Sequence, residues 1–342
     1  MKFIVTGGSG FIGSQLIRNL LYKGEEVLNI DALTYAAVPG TLNNVESNSK
    51  YSFQKMDVCD PNIFDVISGY KPDRVYHLAA ESHVDNSLVS TAPFLKTNVN
   101  GTVNILEAVY KYWVEVREDE NFRMFHISTD EVFGTLQTKD DNPFDHNSIQ
   151  DPSSPYSASK AAADNFVNAW AVTHQLPVFT TYCTNNYGPY QHPEKFIPKA
   201  IINTLLGLPV PVYGDGQNIR TWTHVEDHAW ALYDLSRQEY PHYKTYISSG
   251  KEKTNLEILY ELATIIRAKT GKQMTLQFVQ DRPGHDTRYA MVNTSEQEQY
   301  YTLSMGLKET VDFYVENKWW WEQVLFPEMY SDPLVSGPEV EY

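Results

Sequence analysis

The chain has 342 residues, and its 27 Lys and Arg against 43 Asp and Glu leave a net charge of −16. That balance argues against nucleic acid as a partner, because phosphate backbones are held by basic surfaces. Two cysteines, Cys59 and Cys183, call for no disulfide framework, and no window approaches the ~18 apolar residues of a membrane span. Met1-Lys2 runs straight into an apolar strand with no charged leader, so a soluble cytoplasmic protein without a membrane partner is expected.

Strand and helix signals alternate through the first half. Residues 2–6 read as a strand, 11–22 as a helix, 26–30 as a strand ending in Asp31, and 51–57 and 74–79 as further strands. A helix is expected over 93–112, a strand over 124–128, a helix over 157–173 and a strand over 178–182. This order predicts an α/β fold with a doubly wound parallel sheet. After Pro189 short strands (210–213, 245–247, 274–278) and helices (225–236, 255–270) follow less regularly. The expected division is therefore a dinucleotide-binding domain over 1–188, to which later segments return, and a smaller mixed α/β substrate-binding lobe over 189–326. A tail over 327–342 completes the chain.

Gly7-Gly8-Ser9-Gly10-Phe11-Ile12-Gly13 stands where the first strand hands over to the first helix. Glycines there allow a tight turn and close approach of a pyrophosphate to the helix N-terminus. Asp31, at the end of the second strand, is placed to bind two ribose hydroxyls and to repel a 2′-phosphate, and Ala32 and Leu33 offer no guanidinium, which selects NAD over NADP.

Tyr156 and Lys160 lie four apart, on one face of a helix. A cation ~4 Å from a phenol is worth ~4 kcal/mol at an effective dielectric of 20, or ~3 pKa units, so Lys160, helped by an oxidised nicotinamide, would make Tyr156 a usable base. Asp130 and Glu131 close the strand 124–128 at its C-terminal end, where open α/β sheets place ligands. Neighbouring carboxylates in a partly dry site favour one protonated and one charged form, which suits an elimination. No spacing of metal ligands is evident.

With these residues assembled, the chain resembles the dTDP-glucose 4,6-dehydratases of the extended short-chain dehydrogenase/reductase superfamily, and the likeness covers residues 2 to about 290. It rests on residues 6–13, Asp31-x-x-Thr34-Tyr35, the run 77–85 (His-Leu-Ala-Ala-Glu-Ser-His-Val-Asp), 128–134, 152–160, Asn185-Asn186-Tyr187-Gly188-Pro189, and 281–286 (Asp-Arg-Pro-Gly-His-Asp). The resemblance implies a Rossmann-like sheet, NAD as cofactor and a nucleotide sugar as substrate. Thr129, Asp130, Glu131, Tyr156 and Lys160 would be the catalytic set. Gly7, Gly10, Phe11, Ile12, Gly13, Asp31, Thr34, Asp57, Val58, Leu78, Ala79, Ala80, Ser82, Thr97 and Asn186 would hold the cofactor together with Tyr156 and Lys160. Ser82, Thr129, Asn185, Lys195, Phe196, Tyr213, Arg220, Asn255, Arg282 and His285 would hold the substrate. The family habit also implies a homodimer through helices 93–112 and 157–173.

Departures from the family pattern are Ala32 for a common lysine, Phe133 for a frequent tyrosine, and a shortened polar segment over 291–301. Trp319-Trp320-Trp321 is expected to pack a C-terminal helix against the body. The competing functions are a sugar-nucleotide 4-epimerase, which has no use for the acidic pair, and a cofactor-loaded scaffold without turnover. The choice between thymidine and uridine rests on one methyl group.

Overall fold

The computed structural model describes residues 1–117, 121–239, 243–281, 284–295 and 299–329. Its strands, in chain order, are β1 (Lys2–Thr6), β2 (Glu26–Asp31), β3 (Tyr51–Lys55), β4 (Arg74–His77), β5 (Arg123–Thr129) and β6 (Val178–Cys183). There follow β7 (Asn185–Tyr187), β8 (Val210–Tyr213), β9 (Ile219–His224), β10 (Lys244–Ile247), β11 (Glu252–Thr254) and β12 (Leu276–Val279).

Seven of them form one parallel sheet in the order β3-β2-β1-β4-β5-β6-β10. The central strands carry near-continuous apolar runs because helices cover both faces. Phe3, Val5, Leu16, Ile17, Tyr76 and Phe125 fill one side, and Ile4, Val75, Ile105, Val109 and Met124 the other. Strand order reverses between β1 and β4, so a crevice opens there beyond the C-terminal strand ends. This is the Rossmann-like arrangement that the alternating pattern predicts.

The remaining strands make a three-stranded sheet, β11-β9-β7, and a two-stranded one, β12-β8. Around them helices Phe196–Leu206, Asn255–Thr270 and Leu303–Glu316 bury a separate core built on Ile201, Leu205, Ile258, Leu262, Leu307 and Val311. Thr254 and Glu257 form a capping box that starts the second of these helices, satisfying two of its orphan amides.

The expected helix over 93–112 is a longer run whose winding changes. Ala92–Phe94 is α-helical, Leu95–Gly101 is π-wound, Thr102–Tyr112 is α-helical again, and a further π-wound segment spans Trp113–Arg117. Strand β12 lies two residues later than expected, at Leu276–Val279. Apolar periodicity sees neither the extra winding nor such a shift of register.

The tryptophan run begins the helix Lys318–Leu325. Trp320 and Trp321 are fully buried, and Trp320 Nε1–H donates to Thr41 Oγ1 at 3.0 Å, while Trp319 remains partly exposed. Trp320 sits edge-on to Tyr190, Phe313 and Tyr314. Trp320→Ala is expected to cost about 3–5 kcal/mol in urea unfolding, and Trp319→Ala about 1 kcal/mol.

Candidate active site

One cleft runs along the C-terminal ends of the sheet. It is lined by the glycine turn, Asp31 and Thr34, then Asp57 and Val58, Leu78 to Ser82, Thr97, Ser128 to Glu131, Tyr156, Lys160 and 183–186, with Gln191, His192, Glu194 and Lys195 on the far wall. Such distant segments meet because a parallel sheet aims every strand-end loop to the same edge.

The turn is built around its glycines. Gly7 has φ +70°, and a Cβ there would lie 2.7 Å from the Ala79 amide; a Cβ on Gly13 would lie 2.3 Å from the Gly7 carbonyl. A Cβ on Gly10 would stand 3.3 Å from the Gly7 carbonyl, a tight contact, so this glycine too keeps the turn close beside the cleft that it lines. Asp31 is fixed beside the turn, accepting from the Ser9 amide at 2.9 Å and the Leu33 amide at 2.8 Å. Burial raises its pKa and these two amides oppose the rise.

Asp57 pairs with Lys96 at 2.7 Å, and the Val58 carbonyl accepts from Asn104 Nδ2 at 2.7 Å. The loop through Leu78, Ala79, Ala80 and Ser82 is held by Asn98. Its amide accepts from the Glu81 N–H at 2.8 Å and donates to the Glu81 carbonyl at 3.0 Å and to Ser159 Oγ at 2.9 Å. Asn98 lies in the π-wound segment, next to Thr97, and no motif flagged it. Buried side-chain amides that clamp a loop carry no periodic signal.

The chemical groups converge at the end of β5. Asp130 to Phe133 make one 3-10 turn, in which the Glu131 amide donates to Thr129 Oγ1 at 3.3 Å and that hydroxyl donates to Asp130 Oδ1 at 3.2 Å. Opposite stands the helix Pro155–Thr173, started by Pro155 and a Ser154–Ser157 capping box. Tyr156 therefore occupies the first helical turn, buried edge-on to Phe94. Lys160, one turn on, donates from Nζ to the Ile127 carbonyl at 2.8 Å.

Electrostatics separate these groups. Burial, reinforced by the neighbouring Glu131, pushes the Asp130 carboxyl up to about 8, so it is protonated at neutral pH. Burial also raises the Tyr156 phenol well above its ordinary value, Glu131 adds to the rise, and the Thr129 hydroxyl opposes it. Lys160 is lowered by burial while Asp164 holds its proton on. The sequence expectation is of a phenolate made by Lys160 together with an oxidised nicotinamide; in the free protein desolvation, reinforced by Glu131, keeps the phenol neutral.

Of the other sequence-selected residues, Asn185, Asn186, Ser82 and Lys195 line the cleft. Asn186 is held by the Thr184 carbonyl and His228, and Lys195 Nζ donates to the Ser82 carbonyl at 2.8 Å, across the cleft. Arg220 is buried next door, stacked 4.5 Å from the Tyr289 ring and close enough to lower the Asp130 pKa. Phe196 stacks on Trp222, Tyr213 lies edge-on to His285, and His285 Nδ1 meets Asp281 Oδ1 at 2.6 Å. Phe196, Tyr213, Arg220, Asn255 and His285 stand outside the cleft lining, and Arg282 lies outside the described residues.

Sequence reasoning gave no role to Glu81, although it lies in the run 77–85, and passed over Gln191, His192 and Glu194, which reach the cleft from a loop without a motif. Asp130 Oδ2, Asn185 Oδ1, Gln191 Oε1 and His192 Nε2 are buried there without hydrogen-bond partners. Such orphaned polar atoms fit a site built to bind a polar ligand. Among the described residues no cluster of His, Cys, Asp and Glu has the arrangement of a metal site, and no helix is long and apolar enough to cross a membrane.

Comparison with known proteins agrees with this geometry. Residues 4–312 match the family model described as GDP-mannose 4,6 dehydratase. The chain is 44% identical over 341 residues to the dTDP-glucose 4,6-dehydratase of Neisseria meningitidis serogroup B, covering 95% of this chain and 96% of that one. It superposes on the dTDP-glucose 4,6-dehydratase of Streptomyces venezuelae, solved with NAD, at TM-score 0.86 and 36% identity, covering 95% and 100% of the two chains. A UDP-glucose 4-epimerase from Thermus thermophilus, also solved with NAD, matches at TM-score 0.81 and 25% identity over 93% of this chain and 100% of that one. The fold is therefore common to epimerases and dehydratases. The chain belongs to the GDP-mannose 4,6 dehydratase family, and its similarity within that family is to dTDP-glucose 4,6-dehydratases.

Proposed function

We propose that the protein dehydrates dTDP-glucose to its 4-keto-6-deoxy product, as a hydro-lyase with NAD as resident cofactor. The observation that carries this reading is a fully buried Asp130 beside Glu131, in the cleft that also holds Tyr156. The tight glycine turn lining the cleft, the fixed Asp31 carboxylate and the orphaned Asn185 and Gln191 oxygens fit a dinucleotide and a nucleotide sugar in one cleft.

NAD, when bound, supplies a hydride acceptor for C4 of the sugar and the hydride that C6 receives. The protein's own part is proton transfer and orientation. Burial keeps Tyr156 neutral in the free protein; ionised once an oxidised nicotinamide adds its positive charge to that of Lys160, it would accept the 4-hydroxyl proton, with Thr129 beside it. The 4-ketone acidifies C5, and Glu131 takes that proton. Asp130, the group that burial keeps protonated, gives its proton to the C6 oxygen, which leaves as water. A proton then returns to C5. Two protons are taken, from O4 and C5, and two are given, to the departing oxygen and to C5, so the sum is one water lost. A 4-epimerase needs Tyr156 and Lys160 but has no task for Asp130 and Glu131.

Lys195 and Arg220, and on family likeness Arg282, are proposed to hold the diphosphate, with Phe196, Tyr213, Asn255 and His285 around the nucleoside. Residues 1–188, joined by β10 and the helix Val225–Arg237, are proposed as the dinucleotide half, 189–326 as the nucleotide-sugar lobe, and 327 onward as a tail. A cytoplasmic homodimer is also proposed. Its support is the two free cysteines, and the exposed Leu95 and Phe166 on the helical segments expected to pair.

Incubated with dTDP-glucose in deuterated water, the protein is expected to release a product lighter by one water and labelled at C5, read by mass spectrometry. Glu131→Gln should keep NAD binding and lose about 10²-fold or more in kcat. Full turnover by that variant, or a product of unchanged mass, would remove the proposal.

Asp130 sets a pH dependence. Its carboxyl must be protonated to act, so kcat is expected to fall as pH rises through about 8. The folded chain holds this proton between 3.8 and about 8 where the unfolded chain does not, so the group's effect on stability becomes less favourable as pH rises through that window. Asp130→Asn should therefore raise Tm by a few degrees at pH 8.5 and little at pH 5, while abolishing dehydration.

A further inference from the structure

Below the phenol, on the same helix, lies another carboxylate that the proposed chemistry does not use. Tyr156, Lys160 and Asp164 are spaced four apart and form one stripe along Pro155–Thr173. Asp164 is 4% exposed and does not line the cleft. Ser128 Oγ donates to its Oδ2 at 2.9 Å, Gln150 Nε2 donates to the same atom at 3.0 Å, and His126 Nε2 meets Oδ1 at 3.0 Å.

These three partners are neutral. Burial drives the His126 pKa well below its ordinary value, so the ring donates through Nε2–H and its Nδ1 is left without a partner. Tyr182 of β6 and Tyr246 of β10 face the carboxylate as neutral phenols, and Lys244 of β10 faces it from an exposed position. His77, beyond His126, is likewise neutral. Burial pushes the Asp164 carboxyl up to about 7, and the charge of Lys160, on the adjoining helical turn, is the foremost influence that holds it down.

Lys160 has the complementary problem. Its hydrogen-bond acceptor is a single backbone carbonyl, Ile127 O, and burial works against its charge. A buried ammonium persists where a fixed opposite charge compensates its lost hydration. A hydroxyl, an amide and an imidazole all hold the Asp164 carboxylate in one place, at the foot of β5 and one helical turn from the amine.

We propose that Asp164 is a positioning residue that acts through Lys160, as the buried counter-charge that keeps its ammonium ionised and seated on the Ile127 carbonyl, beside Tyr156. The inference rests on the reading of the site given above, and concerns the charge of the Tyr156–Lys160 pair rather than the identity of the substrate.

The test is a double-mutant cycle with dTDP-glucose, read by single-turnover mass spectrometry at enzyme excess so that slow variants remain measurable. Asp164→Asn keeps the shape and removes the charge. It is expected to lower the single-turnover rate about tenfold or more with substrate affinity changed less than about twofold. In a Lys160→Met background the same substitution should add less than about a twofold loss, because the group it serves is gone. Equal losses in the two backgrounds, or an unchanged rate in the single variant, would overturn the inference. If Asp164→Asn does not fold, Gln150→Ala replaces it in the cycle. Loosening the carboxylate should cost about threefold with Lys160 present and nothing measurable without it, and an additive loss overturns the inference equally. Failure of the underlying functional reading looks different: the unsubstituted protein then makes no dehydrated product.

Discussion

The hydrogen bond from Lys160 Nζ to the Ile127 carbonyl, 2.8 Å long, fastens the first turns of the helix Pro155–Thr173 to the last residues of β5. Through it the phenol carried by the helix and the acids carried by the strand end share one small volume. The bond lies inside the protein, where an ammonium must be compensated, and there a lost partner costs far more than at a surface. The capping box at Ser154 and Ser157 sets where the helix begins, and the 3-10 turn over Asp130–Phe133 sets where the strand ends. Between them these two local features bring Thr129, Asp130 and Tyr156 together without any long-range adjustment.

Dryness then assigns the roles. In water Asp130 and Glu131 would both be ionised and nearly equivalent. At the end of β5 one of them is enclosed and the pair cannot ionise cheaply, so Asp130 keeps its proton. The same burial holds Tyr156 neutral until something positive joins it, which separates the free protein from its loaded form. One physical term, loss of hydration, thus produces both an acid and a dormant base.

Much of this was legible in the chain. The glycine turn, Asp31, the acidic doublet and the Tyr-x-x-x-Lys pair are local features, and a parallel sheet delivers strand ends to one edge whatever lies between them. Gly7, Asp31, Asn186 and Lys195 accordingly reach the same cleft. What escaped depends on contacts between distant segments. Asn98 clamps the Glu81 backbone from a π-wound turn, and Asp164 gathers His126 and Ser128 of β5 and Gln150 from a loop. The charge balance around Tyr156 also escaped, because spacing places Lys160 on the same face but says nothing of how deeply the phenol is buried.

The Trp320 indole that bonds Thr41 connects the two extremes of the chain. Gly40 packs under the Trp319 ring, and Gln323 Nε2 donates to the Pro39 carbonyl at 2.9 Å. The segment they brace continues from Thr34, Ala36 and Ala37, which wall the Asp31 end of the cleft. On the ribosome, residues 34–43 emerge early but wait for some 280 further residues before their brace exists. The Asp31 end of the cleft is therefore completed late in synthesis, and a chain cut before Lys318 would retain the groups at the end of β5 while lacking this brace.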